Sequence, residues 1–595
     1  MSRIKIVFSL SVALLILLGL TGTQAVSSAE GGLVGTIKSA EGQPLEGVVV
    51  SARAGGTSFT TSVYTDRKGE YYFPPLDPGH YKVWAQAVGF QAGRAGVKLS
   101  SDKKVQQDFA LETLEDFSRQ LSGAEWMNSL PEETPMDRQA KAILNSTCSG
   151  CHSTNVPLQN RFDSEGWGVV LDYMQNIRAP RAWGTIWTPS TYNASEFVRF
   201  YREEARWYLT RGRGPESHPL KFKPNPRPTG EATRVVITEY DVPLVDRSRY
   251  EKTHDGTDWS LGPPSKYGGF GAAHDMVVQD EDTVWFADNV TPERTIGKLN
   301  PKTGQVESYV LYTAGNQAVG THGIGRAQNG DLWLTNSPES TTLKFDPKTE
   351  QFQRFPQPSS LPPGGGRTLE IDSKGNPWVC AAGGVMKLKP GTGEYTFYAS
   401  ITPASPGVSG SYYGLSIDGR DNVWFTMITQ DRVGVVNGET GEVSEIFLGK
   451  EPFQGARMPT FEASSSVGPP NHKGPRKLRA DRRGDSVWVP EFIAGKLAKI
   501  DINTHKVTDY PLPFRYTKPY AVGVDRNHMV WVVGLNSDHV YKFNPFSERW
   551  TAYRIPALGM DMRHVEVDNS TNPPTIWTAY FKANKLVRLQ FREGS

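Results

Sequence analysis

Cysteine is scarce in this chain: its 595 residues hold three. A fold stapled by disulfides would need several pairs, so covalent cross-linking is excluded as the basis of its stability. Long apolar runs are almost as rare. "VFSLSVALLILLGL" (7–20) is unbroken, and no later stretch has the apolar length to cross a bilayer. An excess of one charge is also missing, with 65 basic against 63 acidic side chains and no Lys/Arg block. A nucleic-acid partner is therefore not expected.

What is present begins at the N-terminus. Arg3 and Lys5 precede the apolar run and "TQA" (23–25) follows it. This is the pattern of a secretory signal over residues 1–25, cleaved near Ala25, with an uncleaved anchor as the alternative. It implies a periplasmic or secreted protein with no membrane span after cleavage. The remainder is too long for one core. Its 59 Gly, 42 Pro and 15 Trp suit short strands and frequent turns.

Three regions follow. Over 31–112, alternating strands are punctuated by Gly, Asp and Pro turns, which describes a small antiparallel β-sandwich. "TDRKGEYYF" and "LDPGHYKV" resemble the carboxypeptidase regulatory-like domain, which implies a spacer or adhesion module. Over 117–219 the period becomes helical: Ala140, Ile143 and Leu144 share a face, and "SEGWGVVLDYMQNI" and "SEFVRFYREEARWYLTRG" repeat the pattern. Over 231–595 a strand–turn–strand unit recurs seven times, marked by Trp285, Trp333, Trp378, Trp424, Trp488, Trp531 and Trp577. Units of roughly 40–60 residues with four short strands describe blades of a closed ring. "TRVVITEYDVP" (233–243) is expected to complete the last blade beside "KLVRLQF". The "HGI…G.LWLTN" and "IGKLNPKTG" patterns resemble the streptogramin (virginiamycin B) lyase-like propellers. The expected fold class is multidomain: a small β-sandwich, an α-helical cytochrome c domain and a seven-bladed β-propeller.

The middle assignment rests on Cys148-Ser149-Gly150-Cys151-His152. A thioredoxin-like dithiol needs a βαβ setting that is missing here, and a zinc site needs more ligands nearby. Two thiols two residues apart, then His, in an exported helical segment fit covalent attachment of one haem c, with His152 on the iron. The region resembles class I cytochrome c domains. Met174 is the candidate sixth ligand, His218 the runner-up, and an open iron site the third option.

Inner strands of a propeller open at one mouth of the axial channel. The repeats place His274, His322, Arg367, Tyr413, Arg476, Tyr520 and Arg563 there. Fixed guanidinium donors predict a small polar or anionic ligand, held by Arg367, Arg476 and Arg563 with Tyr413 and Tyr520. Imidazole titrates near working pH, so His274 and His322 are the candidates for proton transfer. His564 is expected to alternate away from the channel, and His80 and His472 are taken as ordinary. The lyase resemblance implies two channel His, a Glu one layer further out and magnesium. Asn336 stands where that Glu is expected, which leaves Asp288 or Glu491 as the carboxylate. The function expected is that of an exported c-type cytochrome, an oxidoreductase. It would pass electrons between the channel ligand or a redox partner and a periplasmic electron-transfer partner. The alternative is a carbon–oxygen lyase or a ligand-binding propeller without turnover.

Overall fold

The computed structural model describes residues 32–149, 153–176, 194–217, 220–243, 254–264 and 273–592. Within the last span, 290, 292, 317, 337–338, 364–365, 404–411, 454–457 and 460–466 are not described. The expected signal, 1–25, lies outside the described residues. Among them, no helix is long and apolar enough to cross a membrane.

Seven four-stranded antiparallel blades dominate the structure. Their inner strands are Ala273–Asp280, Ile324–Arg326, Leu369–Ile371, Tyr412–Ile417, Arg479–Ala480, Pro519–Val524 and Met562–Asp568. Each inner strand lies against the next, and the last against the first, so the ring closes. Blade 7 takes its outer strand from Val235–Asp241, which pairs antiparallel with Lys585–Phe591 through Leu586↔Tyr240 and Arg588↔Thr238. A strand from before the first blade thus locks the ring.

The Trp repeats hold neighbouring blades together. Trp285 of blade 1 meets Phe345 of blade 2 at 5.5 Å, and Trp488 of blade 5 meets Phe543 of blade 6 at 5.7 Å. A buried indole still has to place its N–H. Trp378, Trp424 and Trp531 each donate to an Asp in the preceding turn, Asp372, Asp418 and Asp525. The repeated Asp-turn-Trp spacing is therefore a packing device.

The sandwich is not a detached spacer. Its strand Phe59–Tyr64 pairs antiparallel with Val235–Asp241, through Thr60↔Glu239 and Thr61↔Thr238. Blade 7 and one sandwich sheet thereby form a continuous eight-stranded sheet. An open outer edge would template pairing with other chains, and this join covers it. Arg53 and Asp241 bridge the seam at 2.7 Å. Thr61 is buried between two partner strands, and proline cannot donate to either. Thr61→Pro is expected to lower stability by about 1–3 kcal/mol, the cost of leaving a buried backbone acceptor unpaired. Urea unfolding followed by Trp fluorescence would measure it.

Among the described residues, six short helices lie between these β units: α1 (Gly123–Ser129), α2 (Pro135–Thr147), α3 (Asn155–Leu158), α4 (Ser164–Asn176), α5 (Ala194–Phe200) and α6 (Arg202–Arg213). Ser122 and Thr134 open α1 and α2 with reciprocal capping boxes to Glu125 and Asp137. The expectation of an independent α-helical cytochrome c domain over 117–219 is corrected here. The described architecture is mostly β-sheet, and the interior between these helices is filled by their own side chains, including fully buried Trp126 and Trp167. The helices instead form a cap docked on the ring. Asn536, in the loop after blade 6's second strand, accepts from Ser153 Oγ and from the backbone N–H of Thr154, each at 2.9 Å. Its own carbonyl accepts from Ala124 N–H at 2.7 Å. The approach is so close that a Cβ on Gly123 would fall 2.0 Å from Asn536 Oδ1.

Candidate axial site

The sequence places one polar residue at the start of each inner strand; the backbone there does something more. Register shifts interrupt the inner strands between Ala273 and Met276, Tyr412 and Leu415, Pro519 and Ala521, and Met562 and Val565. A bulge suspends the two-residue alternation of a strand. His274 and Asp275 accordingly join one buried cluster although they are adjacent.

That cluster is compact. His274 Nδ1 lies 2.6 Å from Asp275 Oδ1, and its ring centroid is 3.8 Å from that of His322. Asp275 also pairs with Lys477 and lies 3.4 Å from His564 Nδ1. The His322 Nε2 atom is 3.4 Å from the Tyr413 hydroxyl, which pairs in turn with the Tyr520 hydroxyl. Arg476 lies over the rings of Tyr413, Tyr520 and Phe492 at 5.2, 5.0 and 4.5 Å. Arg563 lies over Phe581 at 4.2 Å and pairs with Asp561 at 2.7 Å, while Arg367 is 5.7 Å from the Tyr413 ring. All seven strand-opening residues are therefore linked to one another directly or through a shared neighbour. Asp275, Lys477 and Lys518 were not anticipated. The adjacency "HD" was the one visible signal for Asp275, and strict alternation pointed it the wrong way.

Burial sets the electrostatics. It pushes His274 down to about 3, helped by the Lys477 ammonium, with Asp275 opposing. Burial and the His274 and Lys477 charges drive His322 well below the ordinary imidazole range. Both shifts favour the neutral form of the rings. Asp275 is held far below the usual carboxylate range against its own burial, chiefly by Lys477. Burial raises the Tyr520 hydroxyl well above its ordinary value. Below the cluster, the channel opens into a cavity of ≈ 630 Å³ lined by inner-strand residues that include Asp275, Lys477 and His564.

The remaining expectations fare differently. His564 does not turn away: it is buried against Asp275 because the Met562–Val565 bulge reverses its side. Asp288 ends blade 1's second strand, paired with Arg294 Nη1 at 3.0 Å and Thr291 Oγ1 at 2.7 Å. Glu491 ends the equivalent strand of blade 5, paired with Lys473 at 2.9 Å and grouped with Glu451 and Asp509. Its burial pushes it up to about 8. Each carboxylate is thus engaged within its own surroundings, and the axial cluster's carboxylate is Asp275. Asn336 donates to Glu339 at 2.8 Å.

The cofactor expectations are corrected. Among the described residues, the donor groups close enough to hold a metal are His274/Asp275/His322 and Glu451/Glu491/Asp509, both in the propeller and neither in the cap. Cys148 is the C-cap of α2 and packs against the cap's apolar core. Met174 is half-buried on α4, the helix packed against α5 and α6. Cys151, His152 and His218 lie outside the described residues. Haem c, the oxidoreductase reading and the electron-transfer partner are withdrawn with the cytochrome c fold. Magnesium does not fit the axial donors either. Two imidazoles and one carboxylate already bonded to an ammonium are a poor set for a cation that demands oxygen ligands.

Residues 32–112 match the carboxypeptidase regulatory-like domain family, which identifies the sandwich rather than the whole chain. No curated protein matches the sequence. Among solved structures, virginiamycin B lyase from Staphylococcus aureus is similar at 16% identity, covering 54% of this chain and 96% of that one, with a TM-score of 0.43. A streptogramin B lyase structure is similar at 15% identity, 61% and 100% coverage and a TM-score of 0.46. YCF48 bound to D1 peptide follows at 10% identity, 59% and 98% coverage and a TM-score of 0.40.

Proposed function

We propose that the axial site binds a small carbonyl-bearing anion and removes a proton beside the carbonyl, eliminating an oxygen leaving group: a carbon–oxygen lyase reaction in a periplasmic or secreted protein. The observation that carries this reading is the Asp275–His274 pair. With Asp275 accepting from Nδ1–H, the lone pair is left on Nε2, a buried atom with no hydrogen-bond partner among the described residues. A base needs that tautomer and that orientation. Lys477 and Arg563 are among the charges that hold His274 down, and a bound anion would offset them and restore basicity.

Arg476, Arg563 and Arg367 supply donors for oxygen atoms that gain charge as the proton leaves. Tyr413 is the acid nearest His322, and its hydroxyl partner Tyr520 can replace the proton it gives up. Asp288 and Glu491 have no role in this scheme. The test is to incubate the protein with anionic β-acyloxy acids, with lactones and with a streptogramin B depsipeptide. Elimination is followed by ultraviolet absorbance of the new conjugated double bond and by product mass. For a lactone or the depsipeptide, a product of unchanged mass with a new alkene supports the reading; for a β-acyloxy acid, it is an alkene lighter by the departed carboxylic acid. A product heavier by one water, or binding without turnover across the panel, overturns it.

A further inference from the structure

Where the cap meets the ring, two buried cations lie together. Lys518 precedes blade 6's inner strand and is 1% exposed; Arg476, of blade 5, is 3% exposed. Lys518 Nζ and Arg476 Nε have no hydrogen-bond partner among the described residues, and neither side chain forms an ion pair there. Both face Phe492, at 5.1 and 4.5 Å. A buried charge is normally paired, because desolvating it alone costs several kcal/mol. Here two like charges share one aromatic wall.

The backbone holds Lys518 in this place. Tyr516 and Lys518 both adopt left-handed conformations, with φ of 61° and 59°, which non-glycine residues enter only at a cost. Hydrogen bonds fix the turn: Leu535 N–H donates to the Lys518 carbonyl and Asn536 N–H to the Thr517 carbonyl, each at 3.0 Å. The cap closes over the same turn, with Lys141 at 5.2 Å from the Tyr516 ring and Arg515 paired to Glu132 at 2.8 Å. The ammonium is therefore buried beside the Phe492 ring where cap and ring meet.

We propose that Lys518 and Arg476 form a carboxylate-binding seat at the cap–propeller seam, which holds the acid group of the ligand handled at the axial site. This rests on the proposed function for the ligand's second half, since Arg476 also lies over Tyr413 and Tyr520 of the axial cluster. A carboxylate placed between the two cations would accept from Nζ and Nε and neutralise both. The substrate class narrows to carboxylates whose carbonyl carbon frame spans from this seat to the His pair.

Linkage gives an independent readout. Burial and Arg476 depress Lys518 to about 7 from its ordinary 10.5, and Cys148 of the cap is its other titratable neighbour. A lysine lowered on folding sheds its proton between those values, so stability rises with pH from about 7 to 10.5. The experiment compares wild type with Lys518→Met and Arg476→Met by thermal unfolding, using succinate as the probe and sodium chloride at matched ionic strength as the control. Succinate is expected to raise the wild-type midpoint at pH 7 and to have no effect on either variant. Without succinate, Lys518→Met should unfold at higher temperature than wild type and lose the rise between pH 7 and 10.5. His274→Ala should keep the succinate shift, which separates this seat from the elimination chemistry. A succinate shift that survives in both variants, no shift in wild type, or a Lys518→Met protein less stable than wild type with an unchanged pH profile would each overturn the proposal.

Discussion

Replacing His274 with alanine is expected to lower turnover at the axial site by about 10²–10⁴-fold, the usual contribution of a positioned general base. The fold should survive, because the loss falls on a side chain among other channel groups rather than on a blade core. Asp275→Asn tests the same pair from its other member. Asparagine keeps the shape, but it can present its amide N–H to Nδ1 and so favour the tautomer with the proton on Nε2. The expected result is a large fall in kcat with little change in KM, and a pH profile whose acidic limb, set by the base, moves to lower pH because Asp275 no longer raises His274. Asp275 also balances Lys477 and lies near His564. Its charge loss should therefore lower stability as well, so activity is compared at a temperature where circular dichroism shows both proteins folded. Equal turnover in His274→Ala and wild type would remove the pair from the chemistry.

Breaking the ion pair between cap and ring is expected to have the largest effect on stability. Glu125 is completely buried and Arg554 nearly so, with Nη1 3.0 Å from Oε1. Arg554 also lies 4.9 Å from the Trp259 ring, while Glu125 accepts from the Ser122 and Asn225 backbone N–H groups. Both side chains are removed from solvent, so the loss of one leaves the other charge buried. Glu125→Leu alone leaves a guanidinium buried without its counter-charge and should cost about 3–5 kcal/mol. The double variant Glu125→Leu/Arg554→Leu should recover part of that loss, since it removes both charges. Urea denaturation of the wild type, both single variants and the double variant gives the coupling energy directly. A coupling near zero would mean that the cap is held by its other contacts alone, such as those of Ser153 and Thr154 with Asn536.

The cap also shows how far a local motif can mislead. Cysteine spacing at 148–151 and helical periodicity were legible, and together they suggested a self-contained domain. Periodicity reports which face of a helix is apolar, not what that face packs against. Here much of it packs on Trp126 and Trp167, and the cap's polar contacts run to the ring.

By itself the sequence determined the repeated elements. Each repeat Trp marks a strand pair, and in Trp378, Trp424 and Trp531 a turn Asp takes the indole N–H, because indole size and an N–H acceptor are local demands. The strand at 235–241 was legible as the ring's closing strand, since an apolar strand without a blade of its own needs a sheet edge. The strand-opening residues His274, His322, Arg367, Tyr413, Arg476, Tyr520 and Arg563 could be read by aligning the units. Only the tertiary structure decided the rest. Bulges at the inner strands turned Asp275 and His564 into the His cluster, and a bulge is a backbone event with no fixed residue signature. The outer edge of blade 7 was open to any strand of matching register, and the sandwich strand Phe59–Tyr64 took it. Asp288 and Glu491 occupied the expected positions but met Arg294 and Lys473. Lys518 lies far in sequence from Cys148, its neighbour in the cap. Pairing between segments hundreds of residues apart depends on which surfaces meet, and that is settled only when the chain has folded.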